Sequence, residues 1–192
     1  MALTLRERNR IRVRRDIQDA AWTLFAERGF AAVTTEEIAA AAGVSTSTYF
    51  RYVAAKEDLL LQPLLVSSAE IVATYAARPD DEPVAISLAA AIRERSAEVS
   101  DAELRRWRAA MRTATELSPR VVLIADDDRA ALVALAAGRM GVPDGDVRAG
   151  VAVQVVLAAA EYAYRRWLAV EDQSLLELIG AALDEVVSGA WR

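Results

Sequence analysis

The stretch Thr34-Thr35-Glu36-Glu37-Ile38-Ala39-Ala40-Ala41-Ala42-Gly43-Val44-Ser45-Thr46-Ser47-Thr48-Tyr49-Phe50-Arg51-Tyr52 decides the fold. Thr34 and Glu37 have capping-box spacing, so a short helix opens there. Ile38, Ala41 and Ala42 give that helix a narrow apolar side, and Gly43 stops it. Ser45 is a good N-cap for a following helix. Val44 and Tyr49 stand at the two positions of a hydrophobic staple, which sets the entry angle of the chain. Tyr49 and Val53 lie four apart and share one face; Thr46, Ser47, Phe50 and Arg51 fall largely on others. Alanines on the first helix let the second approach closely, and Gly43 supplies a backbone conformation other residues adopt poorly. A helix precedes them, with Ile17, Ala20, Ala21, Leu24 and Phe25 at helical spacing and Arg28-Gly29 at its end. Three such helices read as a helix-turn-helix whose last member can lie in a major groove. An ordinary corner of a helical core reads the same way.

Working outward, the pattern stays helical to the end of the chain. A fourth helix is expected from about Lys56 to Ala77, with a break near Leu59–Gln62 forced by Pro63. The loop Arg78-Pro79-Asp80-Asp81-Glu82-Pro83 follows. Further helices are expected over 84–98, from Ser100 to about 113, from Ser118-Pro119 to Gly141, over 146–170, and from near Asp172 to Gly189. No strand alternation is visible, so the chain is expected to be all-α, with about nine helices. The expected organisation is a basic arm over 1–15, a helix-turn-helix domain over 16–60, and a ligand-binding and dimerisation domain over 61–192.

Composition narrows the chemistry. The 192 residues include no Cys and no His. Disulfides, thiolate metal sites, the commonest general base and the commonest transition-metal ligand are all missing. No G-x-S-x-G motif and no metal-ligand cluster is present, so neither catalytic residues, a metal nor a cofactor is expected. The apolar run Ala149–Ala160 is too short to span a bilayer, which needs ~20 residues. The N-terminus lacks the apolar segment of a secretory signal. A cytoplasmic protein without a membrane partner is expected. The net charge is −5, yet the first fifteen residues carry Arg6, Arg8, Arg10, Arg12, Arg14 and Arg15 against Glu7 alone. A basic arm on an acidic body suits a polyanion met at one end. A solvated tail is the plainer reading.

The run Ile17-x-x-Ala20-Ala21-x-x-Leu24-Phe25-x-x-x-Gly29-Phe30-x-x-x-Thr34-Thr35-x-x-Ile38-Ala39-x-x-Ala42-Gly43-Val44-Ser45-x-x-Thr48-x-Phe50-Arg51-Tyr52-x-x-x-Lys56-Glu57-x-Leu59-Leu60 resembles the DNA-binding domain of the TetR/AcrR family over nearly its full extent. The resemblance implies a dimeric, sequence-specific transcriptional regulator, usually a repressor, that leaves its double-stranded DNA operator when a small molecule enters the C-terminal domain. It implies that Thr35 contacts phosphate, that Ser45, Thr46 and Ser47 form the leading turn of the recognition helix, and that Thr48 touches the DNA backbone. Phe50, Arg51 and Tyr52 complete the expected DNA-facing set, and Lys56 is expected to bind phosphate, so that its loss weakens binding evenly and flattens the salt dependence. Phe50 departs from the family's more frequent Tyr. It has no hydroxyl for phosphate and suits a thymine methyl. Arg51 replaces a frequent His, and Val53-Ala54-Ala55 replace a Phe-Pro-Ser type of turn.

In the second half, Ala149–Ala160 has Gln154 as its only polar side chain, and Leu175, Leu178, Ile179, Ala182, Leu183, Val186 and Val187 recur in the last helix. Such an excess of apolar surface suits two buried faces. The resemblance implies a homodimer through the last two helices; a purely intramolecular bundle is the alternative. Trp107, Met111, Gln154, Leu157, Tyr162 and Trp167 are candidates for a mostly apolar effector pocket, against the plainer reading of core. The segment holding Arg93, Arg95, Trp107, Arg108 and Ser118-Pro119 is loosely similar to family members that sense acyl-CoA-like ligands, which implies a hydrophobic effector with an anionic head. Asp126-Asp127-Asp128 reads as a solvated acidic face. The competing functional class is a DNA-binding protein of the same fold that is constitutive or answers to a protein partner.

Overall fold

The computed structural model describes residues 4–170 and 172–189. Among these residues the chain forms nine α-helices and one 3-10 segment: α1 Leu5–Arg28, α2 Thr35–Ala41, α3 Thr46–Tyr52, α4 Asp58–Ala77, α5 Val84–Ala97, α6 Asp101–Met111, the 3-10 turn Thr115–Arg120, α7 Asp126–Met140, α8 Val147–Ala169 and α9 Leu175–Ser188. The all-α expectation holds. Three expectations change. The basic arm is not a separate segment, because the described part of it is the beginning of α1; its first three residues lie outside the described residues. Thr4 caps that helix and Glu7 closes the capping box, so α1 starts there. The helix expected to open at Ser118-Pro119 opens instead at Asp126. Its first turn carries Asp126, Asp127 and Asp128, where negative charge meets the positive end of the helix dipole.

The third change concerns α4, which runs unbroken through Pro63. A proline inside a helix deprives the carbonyl four residues earlier, here Leu59, of its N–H partner. The indole of Trp22 supplies that donor, with Nε1 2.9 Å from the Leu59 carbonyl oxygen. The next carbonyl, of Leu60, accepts from Trp107 Nε1 at 3.0 Å. Both tryptophans are buried. An unpartnered buried carbonyl costs about 1–3 kcal/mol, enough to select a break over a continuous helix.

The chain divides into two compact units, 1–63 with 102–121, and 64–101 with 122–192. The boundary therefore differs from the expected one near residue 60, since most of α6 and the 3-10 turn group with the N-terminal helices. In the first unit Ile17, Ala21 and Phe25 of α1, Ile38 of α2, Tyr49 of α3 and Leu60 of α4 are fully buried. Thr113, just after α6, accepts from the Phe30 N–H at 3.0 Å, and its hydroxyl lies 3.1 Å from the Phe25 carbonyl. Arg106 pairs with Asp19 at 3.4 Å.

In the second unit α8 packs against α5, α7 and α9. Ser68 of α4 is fully buried; it donates to Asp128 at 2.5 Å and accepts from the Ala125 N–H at 3.0 Å, so Asp128 is engaged rather than solvated. Arg139 of α7 reaches the end of α4, where it donates to the carbonyls of Tyr75 and Arg78, both at 2.8 Å, and to that of Pro79. A cation there satisfies orphan carbonyls and the negative end of the dipole. By length and composition α4 is apolar enough to cross a bilayer. Its Ser68 bonds with Asp128 and its Glu70 pairs with Arg95, the contacts of a core helix.

The proline accounts for the Trp22 bond, and a double-mutant cycle measures it. Trp22→Phe is expected to destabilise the protein by about 1–3 kcal/mol in thermal or urea unfolding. In a Pro63→Ala background the backbone regains the helical N–H donor to Leu59, and the cost of Trp22→Phe falls. Equal costs in both backgrounds contradict the pairing.

Candidate nucleic-acid interface

The second and third helices are built as their sequence dictates. Thr34 accepts from the Glu37 N–H at 3.2 Å, and Glu37 accepts from the Thr34 N–H at 2.9 Å, which completes the capping box. Glu37 also pairs with Arg28 of α1 at 2.7 Å. Those hydrogen bonds, that with the Thr34 backbone first and that with Arg28 second, hold the Glu37 carboxyl down at about 2. At the turn, Gly43 donates to the Ala40 carbonyl at 3.1 Å and Val44 to the Ala39 carbonyl at 2.9 Å. This is a Schellman closure, and it needs the positive φ of Gly43, +66°.

Ser45 then accepts from the Thr48 N–H at 3.1 Å and donates to the Thr48 hydroxyl at 3.0 Å. Both side chains serve first as the cap of α3. Tyr49 is fully buried and anchors the helix; burial, reinforced by the charges of Asp58, Glu57 and Glu36, pushes its phenol up to about 12. The opposite side of α3 is open. Ser47, Phe50 and Arg51 are exposed, Thr46, Thr48 and Tyr52 are half-buried, and the Arg51 guanidinium lies 5.1 Å from the Tyr52 ring centre. Phe50 is 56% exposed, an apolar ring held edge-on against Tyr49. The helix thus carries two small hydroxyls, an aromatic ring and one cation outward. That set can exchange hydrogen bonds with base edges and meet thymine methyls.

Two residues expected at phosphate have partners of their own. Thr35, in the first turn of α2, donates to Glu36 at 3.1 Å. Lys56 donates to the carbonyls of Phe30 and Val33 at 2.8 and 2.9 Å, and its ammonium lies 4.3 Å from the Phe30 ring centre. Its position ties the loop between α1 and α2 to the approach to α4. The turn over Val53, Ala54 and Ala55 is closed by Asp58, which accepts from the Ala55 N–H at 3.1 Å.

The residues expected to line an effector pocket fall in both units: Trp107 and Met111 in the first, and Gln154, Leu157, Tyr162 and Trp167 in the second. Gln154 is exposed and accepts from Arg129 at 2.6 Å, and Tyr162 is 63% exposed, so neither lines an interior. Leu157 and Trp167 are core. Arg93 and Arg95, expected near an anionic head, are engaged with Asp184 and Glu70. Among the described residues no group of His, Cys, Asp or Glu could hold a metal. Sequence reasoning missed Trp22, Thr113 and the Arg28–Glu37 pair. Pro63 inside an apolar run was the available signal for Trp22, since it posed the question of what satisfies the freed carbonyl.

Residues 17–62 match the family model of bacterial regulatory proteins, tetR family, and residues 82–190 match that of the MftR C-terminal domain. The chain belongs to the TetR family. It is 30% identical over 182 residues to MftR of Mycobacterium tuberculosis (strain ATCC 25618 / H37Rv), a transcriptional regulator named for mycofactocin biosynthesis, covering 92% of this chain and 90% of that one. It is 28% identical to the HTH-type transcriptional regulator TcmR of Streptomyces glaucescens, covering 95% and 84%. SmeT, the repressor of the Stenotrophomonas maltophilia multidrug efflux pump SmeDEF, shares the fold at a TM-score of 0.61 and 19% identity, with 92% and 89% covered. Thermus thermophilus FadR in complex with lauroyl-CoA is similar at a TM-score of 0.50 and 25% identity, with 93% and 95% covered. This TetR-family chain is therefore a helix-turn-helix, DNA-binding transcriptional regulator and not an enzyme; regulators of the family bind operators as dimers.

Glu37 makes the framework of this TetR-family interface acid-sensitive. Its folded pKa lies below the ordinary 4.5, so its stabilisation is complete above that value and disappears as pH falls toward about 2. In unfolding measured across that window, Glu37→Gln is expected to lose less stability than the parent. Identical pH profiles contradict the assignment.

Proposed function

We propose that this regulator is a repressor that binds a two-fold operator as a homodimer and is released by a hydrophobic small molecule. Within it, Thr46, Ser47 and Arg51 read bases, Phe50 meets a thymine methyl, and Thr35, Ser45, Thr48 and Tyr52 contact or orient the DNA backbone. Lys56 holds the loop before α2 and offers phosphate only its remaining proton. The open, hydroxyl-bearing face of α3 opposite buried Tyr49 carries the DNA reading.

The dimer rests on α8. Val147, Val151, Val155, Ala158 and Tyr162 recur every three or four residues and are all exposed, Val147 by 73% and Val151 by 55%. These positions share one helix face, and the buried Val153, Val156 and Leu157 lie on another. A regular apolar row left in water suits a second copy of the chain, with α9 beside it. Release by a hydrophobic effector is supported by the similarity to FadR, which binds lauroyl-CoA in its structure. It is also supported by the Tyr75 hydroxyl in the second unit, fully buried and without a hydrogen-bond partner. A ligand oxygen there would satisfy a donor that is otherwise costly to bury. To release DNA, the ligand must favour the DNA-incompetent state. We place the protein in the cytoplasm, with the DNA it reads.

Duplexes enriched from a random pool are expected to carry inverted half-sites one helical turn apart, ~34–36 Å. Sedimentation is expected to give twice the 20.8 kDa chain mass, and Val151→Glu to give the monomer with a sharp loss of operator affinity. Acyl-CoA thioesters of graded length are expected to lower operator affinity, and Tyr75→Phe to blunt that response. No enriched duplex sinks the DNA reading; a monomeric parent sinks the dimer. Enrichment without any ligand response favours a constitutive or partner-controlled regulator.

A further inference from the structure

The first three turns of α1 carry a charge arrangement that the helix-turn-helix does not use. The family model begins at residue 17, and Ile17 is the first buried residue of the helix. Residues 5–16 precede it as continuous helix, about 18 Å long at 1.5 Å per residue. At 3.6 residues per turn, Arg6, Arg10 and Arg14 form one row and Arg8, Arg12 and Arg15 a second. The rows lie about 170° apart around the axis. All six are exposed. Arg12 is partly engaged, with Asn9 at 2.9 Å and Asp16 at 3.9 Å. The other five have no acidic partner among the described residues, which is unusual in a chain of net charge −5 whose other arginines so often pair with acids.

Building on the DNA-binding reading above, we infer that this extension lies across the mouth of a minor groove beside the operator, with one arginine row on each phosphodiester strand. A helix with its side chains is ~10–12 Å across, wider than a minor groove of ~6 Å, so it cannot enter the groove. It can bridge it, and two opposed cationic rows are what bridging needs. A helix lying along one strand would use one row and leave the other in water. An amphipathic membrane helix would need a broad apolar face, and Leu5, Ile11 and Val13 do not share one. Because α1 continues without interruption into the buried core, the rows are held in register rather than searching as a loose tail. The contact is to phosphate, so it adds affinity on any sequence and steepens the salt dependence.

The test uses the full chain and a duplex it has enriched from a random pool, in long-flank and short-flank forms. Arg6/Arg10/Arg14→Gln and Arg8/Arg12/Arg15→Gln keep helix propensity, since Gln and Arg rank alike. Each triple variant is expected to flatten the slope of log affinity against log salt by about 2–3 per protomer, and so by about 5 for the dimer, at ~0.9 per phosphate. Both effects are expected to shrink on the short-flank duplex, and the enriched bases to stay the same. If one row carries the entire effect, or neither does, bridging is overturned while the DNA reading stands. Binding of phosphatidylglycerol vesicles lost in step with the rows, at unchanged DNA slope, overturns it in favour of a membrane. A parent that enriches no duplex removes the DNA reading itself.

Discussion

Two indole N–H groups donating to two successive carbonyls of α4 hold the DNA-binding unit together. Pro63 frees the Leu59 oxygen, Trp22 of α1 takes it, and Trp107 of α6 takes the oxygen of Leu60. Two helices distant in sequence, α1 and α6, are thereby fixed at one point on α4. From the segments that flank α4 and α6 come the groups that hold the loop between α1 and α2. Thr113 grips it at Phe30, and Lys56 grips it at the carbonyls of Phe30 and Val33. The cap of α2 follows directly at Thr34, so the helix that supports α3 starts from a braced point.

That bracing matters because α3 is only seven residues long and has little stability of its own. It is held by its Ser45 cap, by the Gly43 closure before it and by one buried ring, Tyr49. Its outward side chains are thus free of structural duty, except for Thr48, whose hydroxyl accepts from Ser45. Division of labour along one short helix explains how a chain of net negative charge can present a DNA-reading surface. Charge is concentrated in α1, whereas α3 carries hydroxyls, a ring and a single arginine.

Much of this was legible in the sequence because it is local. Thr34 with Glu37, Gly43 and Ser45 act through backbone groups three or four residues away, and each does in the structure what its spacing implied. The misreadings arose where partners are distant. Pro63 implied a break because Trp22 is forty-one residues away. The sequence does not show that two of the three Lys56 ammonium donors go to the distant carbonyls of Phe30 and Val33. Tyr162 and Gln154 read as lining because periodicity shows that a helix has faces, not which neighbour each face meets. The basic arm reads as a tail because arginine spacing alone does not distinguish a helix from a coil; the Thr4–Glu7 cap does.

On this view α3 alone reads bases, on a frame set by α1, α2 and α4. Selection from a random duplex pool tests that division, comparing the base preferences of Ser47→Ala and Arg51→Gln with that of Lys56→Met. The two α3 substitutions are expected to change which bases are enriched, and Lys56→Met to weaken binding with the preference intact. A preference that survives both α3 substitutions, or one that shifts with Lys56, contradicts it.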